Sequence, residues 1–359
     1  MSLINNNYEV IVVGSGPSGM GSAIYAAKNG ARTLLIEKNG FLGGMSTTGM
    51  LNVFCGSASS ALFTDIKEKL VVNKRGRKIY EPEELKNYYL NQVKENNVDV
   101  LLYSYASDIK MKENYIESIN IETKSGSKEI KSKIFIDATG DGDIANRANV
   151  PYYKGRESDG KMEPASLMVK VGGINPEKAV YPTFGRQKEL QQKMRKEVEK
   201  GNIPFPAGHI IIIETTVPEM AILNMTNSIN IDGTKPEDLT EAEFKCREQN
   251  QPIIKFVREN VPGFKNCYLV GTASHIGIRE TRHFSGLYRL KEEDIAAGKI
   301  FDDWVVSRCN RNFGAHNLSG SGSDEQNQKL ESSEYTIPYR SFLPKKVDNL
   351  YLTGRCISG

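Results

Sequence analysis

The stretch HIGIRETRH puts His275, Arg279, Glu280, Arg282 and His283 within nine residues, and GAHN adds His316. An arginine guanidinium is a planar fork of donors that clamps a carboxylate through two parallel bonds. Arg279 or Arg282 is therefore a candidate anchor for an anionic substrate. Histidine changes charge near neutral pH, which makes His275 or His316 a candidate general acid or base. If the stretch is a strand, its period of two puts His275 and Arg279 on one face. A structural reading stays open beside this one: Arg279 and Glu280 as ends of salt bridges, and the histidines as hydrogen-bonded packing.

Other chemistries find less support in the residue types. The five cysteines, Cys55, Cys246, Cys267, Cys309 and Cys356, are scattered singly with no CxxC pair, which points to a reduced, cytoplasmic protein. The four histidines show neither an HxxxH spacing nor paired cysteines, so no metal site is expected. A net charge of +3 over 359 residues gives no case, from charge alone, for a nucleic-acid partner or a membrane-seeking surface. The longest strongly apolar run, Ile210 to Ile213, is far short of the roughly 20 residues that span a bilayer. The opening MSLINNNYEV has no basic segment followed by an apolar one, so no export signal is expected.

The elements that must position these side chains begin at residue 8. In YEVIVVGSGPSGMGSAIYAAKNGARTLLIEK an apolar strand runs into GSGPSG, then an alanine-rich helix, then a second strand ending at Glu37. Gly14 permits a tight turn, Gly16 lets backbone approach a pyrophosphate, and Gly19 lets helix and strand pack closely. The helix N-terminus supplies free N–H groups and partial positive charge. Glu37, placed 18 residues after Gly19, can accept from both ribose hydroxyls and would repel a 2′-phosphate, so NADP is disfavoured. Two further apolar strands stop at glycine, IFIDATGDGD at Gly140 and NLYLTGRC at Gly354, and FLGGMSTTGM supplies another glycine turn soon after Glu37. In a parallel sheet, ligands lie outside the carboxyl ends of the strands, so these turns can face one extended cofactor.

In this order the segments resemble the FAD-dependent oxidoreductase family, whose larger relatives include glutathione-reductase-like and fumarate-reductase-like flavoproteins. The resemblance covers nearly the whole chain, and FAD is the cofactor it implies. Carried over residue by residue, it implies that Gly14, Ser15, Gly16, Pro17, Ser18 and Gly19 hold the pyrophosphate. Glu37 and Lys38 take the adenosine ribose, and Ala106 takes the adenine through its backbone. Gly43, Gly44, Met45 and Thr48 approach the pyrophosphate and flavin, Ala138, Thr139, Gly140 and Asp141 border the adenosine half, and Gly354 and Arg355 lie on the flavin side. The chain departs from the family pattern twice. Arg355 stands where many members have an aspartate, and the sequence ends at Gly359, before the helix that caps the flavin in relatives. Weakened FAD binding by the isolated chain is the expectation that follows.

The fold expected is α/β, a Rossmann-like FAD-binding domain with a central parallel sheet and a β-meander, plus an inserted α+β substrate domain. Residues 1–150 and 333–359 form the discontinuous first domain and 151–332 the second. Helices are expected over 62–71, 83–96, 187–200 and 239–259, and a mobile loop over SGSGSDEQN at 319–327. No second GxGxxG follows a strand, so the electron partner is left open among nicotinamide, a protein carrier and oxygen. The leading expectation is an enzyme that moves a hydride between flavin and a small anionic organic substrate. Two alternatives remain: a flavin-binding module inactive without a further C-terminal segment or partner, and a flavin-dependent RNA- or cofactor-modifying enzyme.

Overall fold

The structure is a computed structural model that describes residues 7–54, 60–182, 187–309, 317–321 and 334–359. Its main sheet has seven strands. Reading across it, Asp99–Leu101, Thr33–Ile36, Asn7–Val13 and Gly126–Asp137 run parallel. The long strand Gly126–Asp137 serves two purposes along one edge. Its first half pairs antiparallel with Tyr115–Thr123, which pairs with Tyr105–Lys112 to complete the meander. Its last residues, Phe135 to Asp137, pair in parallel with Leu350–Leu352 from the end of the chain. Both ends of the sequence thus meet in one sheet, as expected from its apolar runs.

Parallel strands buried on both faces read as continuous apolar runs, and Val12, Leu34, Leu35 and Leu352 are wholly buried. Helices Pro17–Lys28, Ala61–Leu70 and Pro82–Glu95 cover one face through Met20, Ile24, Leu85 and Tyr89. Pro82 opens its helix, with Glu83 and Glu84 in the first turn and Lys94 in the last. Proline there surrenders no hydrogen bond, and the charges match the helix dipole. The strand ends are stitched in a row: Gly14 N–H donates to Ile36 O (2.8 Å), Ala138 N–H to Val13 O (2.8 Å) and Thr353 N–H to Asp137 O (3.0 Å). The glycine turns therefore leave the sheet side by side.

A second, antiparallel sheet is ordered Ile212–Glu214, Ala221–Leu223, Val169–Gly172, Tyr268–Thr272. One of its faces packs under helices Lys188–Glu199 and Pro236–Asn260 through Met194, Val198, Ile253 and Val257. The other turns Ile211, Ile213, Ile222 and Met168 toward Leu51, Val53 and Ile79 of the first half. We keep the division at residues 1–150 with 333–359 and 151–332 as a working proposal. The main sheet draws on 7–137 and 350–352, and the second on 169–272. The hairpin Val72–Lys74 and Arg77–Ile79 belongs in sequence to the first part but lends Ile79 to the second core. Three strands are shorter than the sequence runs that hold them. Asp99–Leu101 stops before Tyr103, which takes a positive φ of 52°. Ala221–Leu223 gives way to the polar run Asn224 to Ser228, and Ile212–Glu214 begins only after Ile211. Of the expected loop at 319–327, residues 322–327 lie outside the described residues.

Candidate functional site

A cavity of about 1240 Å³ lies between the carboxyl edge of the main sheet and the apolar face of the second. Sites for drug-sized ligands are usually ~300–1,000 Å³, so this one has room for a dinucleotide and a second molecule. Its floor is the glycine turn, where Gly14, Ser15, Gly16, Pro17 and Ser18 all reach the cavity wall. Gly14 has φ +97°, and a side chain there would run into the carbonyl of Ala138. Gly19 does not reach the cavity; a side chain on it would strike Gly14 O, so it serves the close packing of helix on strand. The FLGG turn packs on this floor, with Gly43 N–H donating to Ser15 O (2.9 Å). A Cβ on Gly44 would come 2.8 Å from Gly16 Cα. Gly44, Met45 and Thr48 line the cavity and Gly43 stands behind them.

Glu37 sits at the end of its strand with both carboxylate oxygens engaged. One accepts from Ser15 N–H (2.9 Å) and Ser15 Oγ (2.6 Å), the other from Asn39 N–H (2.9 Å) and Asn39 Nδ2 (2.8 Å). Buried but in the cavity wall, it is fixed in orientation; these four donors already take its four lone-pair sites, so a ribose hydroxyl would have to displace the Ser15 hydroxyl or the Asn39 amide to bond to it. Lys38 and Ala106 line the same end.

Ala138, Thr139, Gly140 and Asp141 form the next part of the wall. Their turn is held by Asp137, which the sequence reading passed over. Asp137 is wholly buried and accepts from Thr139 Oγ1 (2.7 Å), Thr139 N–H (3.1 Å), Ile144 N–H (2.8 Å) and Ala145 N–H (2.9 Å). Burial pushes its carboxyl up to about 6, against the pull of those donors. Gly354 and Arg355 complete this side, with Arg355 Nη2 donating to Asp141 Oδ1 at 2.9 Å.

The structure separates the four candidates for catalysis. Residues 274–280 do not form a regular strand; their one bridge joins Gly277 to Ser166. The shared face expected for His275 and Arg279 therefore does not hold, because an irregular segment has no period of two. His275 lines the cavity, but the charges acting on it are Lys38, Glu37 and Glu243, which puts it near the Glu37 end. Burial, then Lys38, lower its pKa. Arg279 also lines the cavity, and Nη2 donates to Ser166 Oγ at 2.9 Å while Nη1 donates to the Pro164 carbonyl. Ser166 connects it to the FLGGM turn: a Cβ on Gly277 would lie 3.8 Å from both Ser166 Oγ and Met45 Cε. Arg282 is not among the cavity-lining residues. It donates to Asp141 O (2.9 Å) and Asp143 Oδ1 (3.1 Å) and stacks over Tyr152 at 5.6 Å, so its donors brace the DATGDGD turn instead of reaching a substrate. His316 lies outside the described residues.

Arg77, Asn224 and Glu243 also stand in the cavity wall, and no sequence motif marks them. Arg77 arrives from the hairpin and donates to Ile212 O at 3.1 Å. No local pattern announces it, because its place depends on how the hairpin docks against the second sheet. Among the described residues, no cluster of three or more His, Cys, Asp or Glu side chains is placed to hold a metal, and no helix is long and apolar enough to cross a membrane. Cys356 is wholly buried, and burial raises its thiol pKa well above the ordinary value, which makes it a poor nucleophile.

A family model described as FAD dependent oxidoreductase matches residues 9–359. The chain belongs to the FAD-dependent oxidoreductase family. This FAD-dependent oxidoreductase shares short stretches with two digeranylgeranylglycerophospholipid reductases. One, from Thermoplasma volcanium, is 38% identical over 96 residues, covering 25% of this chain and 22% of the relative. The other, from Methanocaldococcus jannaschii, is 51% identical over 43 residues, covering 12% and 11%. The chain thus spans less than a quarter of these relatives' length in each match. Among solved structures, a geranylgeranyl bacteriochlorophyll reductase-like protein from Thermoplasma acidophilum aligns with a TM-score of 0.50 at 17% identity, over 80% of this chain and 68% of that one. The p-nitrophenol 4-monooxygenase of Pseudomonas putida gives 0.52 at 12% identity, over 79% and 71%. Such identities show a shared fold.

The residues present fit FAD. Gly16 is consistent with this: it has φ −59°, a Cβ there would meet nothing within 4 Å, and its backbone lies open to the cavity, where a pyrophosphate can approach it. When bound, FAD supplies the centre that accepts or gives the hydride.

Proposed function

We propose that this FAD-dependent oxidoreductase transfers a hydride between its flavin and a small organic substrate that carries an anionic group on an apolar body. Arg279 carries the reading. Its guanidinium is largely buried, and burial lowers its pKa. Among the described residues it forms no ion pair, with Glu163 acting on it only at longer range. Leaving a guanidinium under cover with two neutral acceptors is costly, and a substrate carboxylate would offset that cost. The two bonds to Pro164 O and Ser166 Oγ fix the plane of the fork and leave three N–H groups for a ligand.

Around Arg279 the wall is apolar: Leu51, Val53, Met168, Ile211, Ile213 and Ile278. Such a surface excludes water from the reacting carbon and strengthens the ion pair at its edge. Asn224 reaches the same wall, with its side-chain carbonyl oxygen buried and its side chain turned to His209. In this reading Arg279 binds and orients, the apolar wall selects the body, and the Met45–Thr48 turn sets the flavin side.

The same apolar wall favours a second reading, in which the body is a long isoprenoid chain like those named for the archaeal reductases. Anaerobic photoreduction of the holoprotein, followed by mixing with enoates, 2-oxo acids, isoprenoid lipids, quinones and oxygen, separates the two. Fast reoxidation by a short apolar carboxylate, lost in Arg279→Met while reoxidation by oxygen is kept, supports the first. Reoxidation only by long isoprenoids supports the second. Equal reoxidation by neutral quinones in both proteins contradicts both.

A further inference from the structure

Arg355 follows the glycine that ends the last parallel strand, and its guanidinium lies over the backbone of a second glycine. A Cβ on Gly140 would stand 3.0 Å from Arg355 Nη2 and 3.7 Å from Nε. On the other side, a Cβ on Gly354 would stand 2.8 Å from Ser18 Oγ, in the first turn of helix Pro17–Lys28. The guanidinium therefore lies over the DATG turn while the backbone just before Arg355 rests beside the helix N-terminus, and Gly16, Ser18, Gly140 and Arg355 all face one cavity. Glycine at position 140, with φ +88°, is what lets the guanidinium lie so close.

Among the described residues one donor of this guanidinium is committed, Nη2 to Asp141 Oδ1 at 2.9 Å, and the side chain stays one-third exposed. Asp141 has a second support, Thr281 Oγ1 at 2.8 Å on the same oxygen. It can release Arg355 without being left bare. Asp141 is also an anion in the wall against which a diphosphate must lie, and like charges at close range repel unless a cation stands between them.

We propose that Arg355 is a pyrophosphate clamp held in place by Asp141. When the dinucleotide is present, its free N–H edge takes phosphate oxygens from the side opposite the helix N-terminus. The guanidinium fork suits a phosphate better than a lysine point charge does. The positive end of the helix and the arginine then form a two-sided cradle, and Arg355 shields the cofactor from Asp141. This assigns Arg355 to the phosphates and not to the flavin ring, and it is independent of which substrate the enzyme takes.

Binding of FAD, ADP and riboflavin to the wild type, Arg355→Gln and Arg355→Lys tests it, measured by fluorescence at low and high salt, with thermal melts of each protein alone. Arg355→Gln is expected to weaken FAD and ADP by about 10- to 100-fold, the range of a lost charge-assisted bond. Riboflavin, which has no phosphate, should bind as before, the salt dependence for FAD should fall, and Arg355→Lys should recover part of the loss. Equal loss of riboflavin and FAD, or FAD affinity unchanged in Arg355→Gln, would overturn the clamp. A melt lowered in Arg355→Gln but normal in Arg355→Lys leaves the lysine variant to decide by the same ligand comparison. Because no substrate enters these measurements, their failure is distinct from failure of the Arg279 reading.

Discussion

Arg279 and His209 show how burial decides what a charged or titratable side chain can do. Arg279→Met is expected to raise the KM for an anionic substrate by about 10- to 100-fold, since a hydrogen bond to a charged group contributes roughly 1.5–3 kcal/mol. FAD affinity should be unchanged, which ligand titration checks directly. His209 is buried beside this arginine, and burial together with the Arg279 charge pushes its pKa down to about 4. Between that value and the usual 6.5, the unfolded chain binds a proton that the folded chain does not. Stability is therefore full above pH 6.5 and falls as the pH drops toward 4, by roughly 3 kcal/mol. Denaturant melts at pH 7.5 and 4.5 should show a smaller acid loss in His209→Gln than in the wild type. An identical loss in both would remove His209 from the account.

At the scale of elements, the turns that follow the parallel strands set the site, and Asp137 holds one of them. Asp137→Asn keeps the size but replaces one of the two accepting oxygens by an NH2, which sets donor against donor either at Thr139 or at the N-terminus of Asp143–Arg147. A loss of about 1–3 kcal/mol in stability is expected, with weaker FAD binding as the Ala138–Asp141 wall loosens. A melt and a titration of one variant measure both. The first strand, its glycine turn, the helix and Glu37 were legible in the sequence because each is local: an apolar run, a glycine spacing, a proline at a helix start. The meander was legible for the same reason, through alternation and turn residues. HIGIRETRH meets the strand condition only at its end: Arg282 and His283 pair with Lys154 and Tyr153, while residues 275–280 have a single bridge at Gly277, so alternation there is not matched by pairing. Arg282 illustrates the same limit. Its type suggested a clamp for ligands, and its docking against Asp141 and Asp143 makes it a brace. Arg77 and Asn224 reach the cavity through long-range packing that no spacing encodes.

Over the whole molecule, both halves contribute to one cavity. The main sheet supplies glycine turns for a dinucleotide, and the second sheet supplies an apolar roof with a buried cation at its edge. The central claim is that FAD lies against the GSGPSG backbone at the carboxyl edge of the main sheet. Gly16→Leu tests it most directly, because the added side chain has an allowed φ of −59° and meets no protein atom within 4 Å of its Cβ. The measurement is FAD titration of the wild type and Gly16→Leu, with the melting temperature of each protein alone. The account predicts melting lowered by no more than the roughly 1 kcal/mol that leucine costs against glycine at a helix N-cap, and FAD affinity lowered by at least about 100-fold, from displacement of the pyrophosphate off the backbone. Wild-type affinity in Gly16→Leu would contradict it.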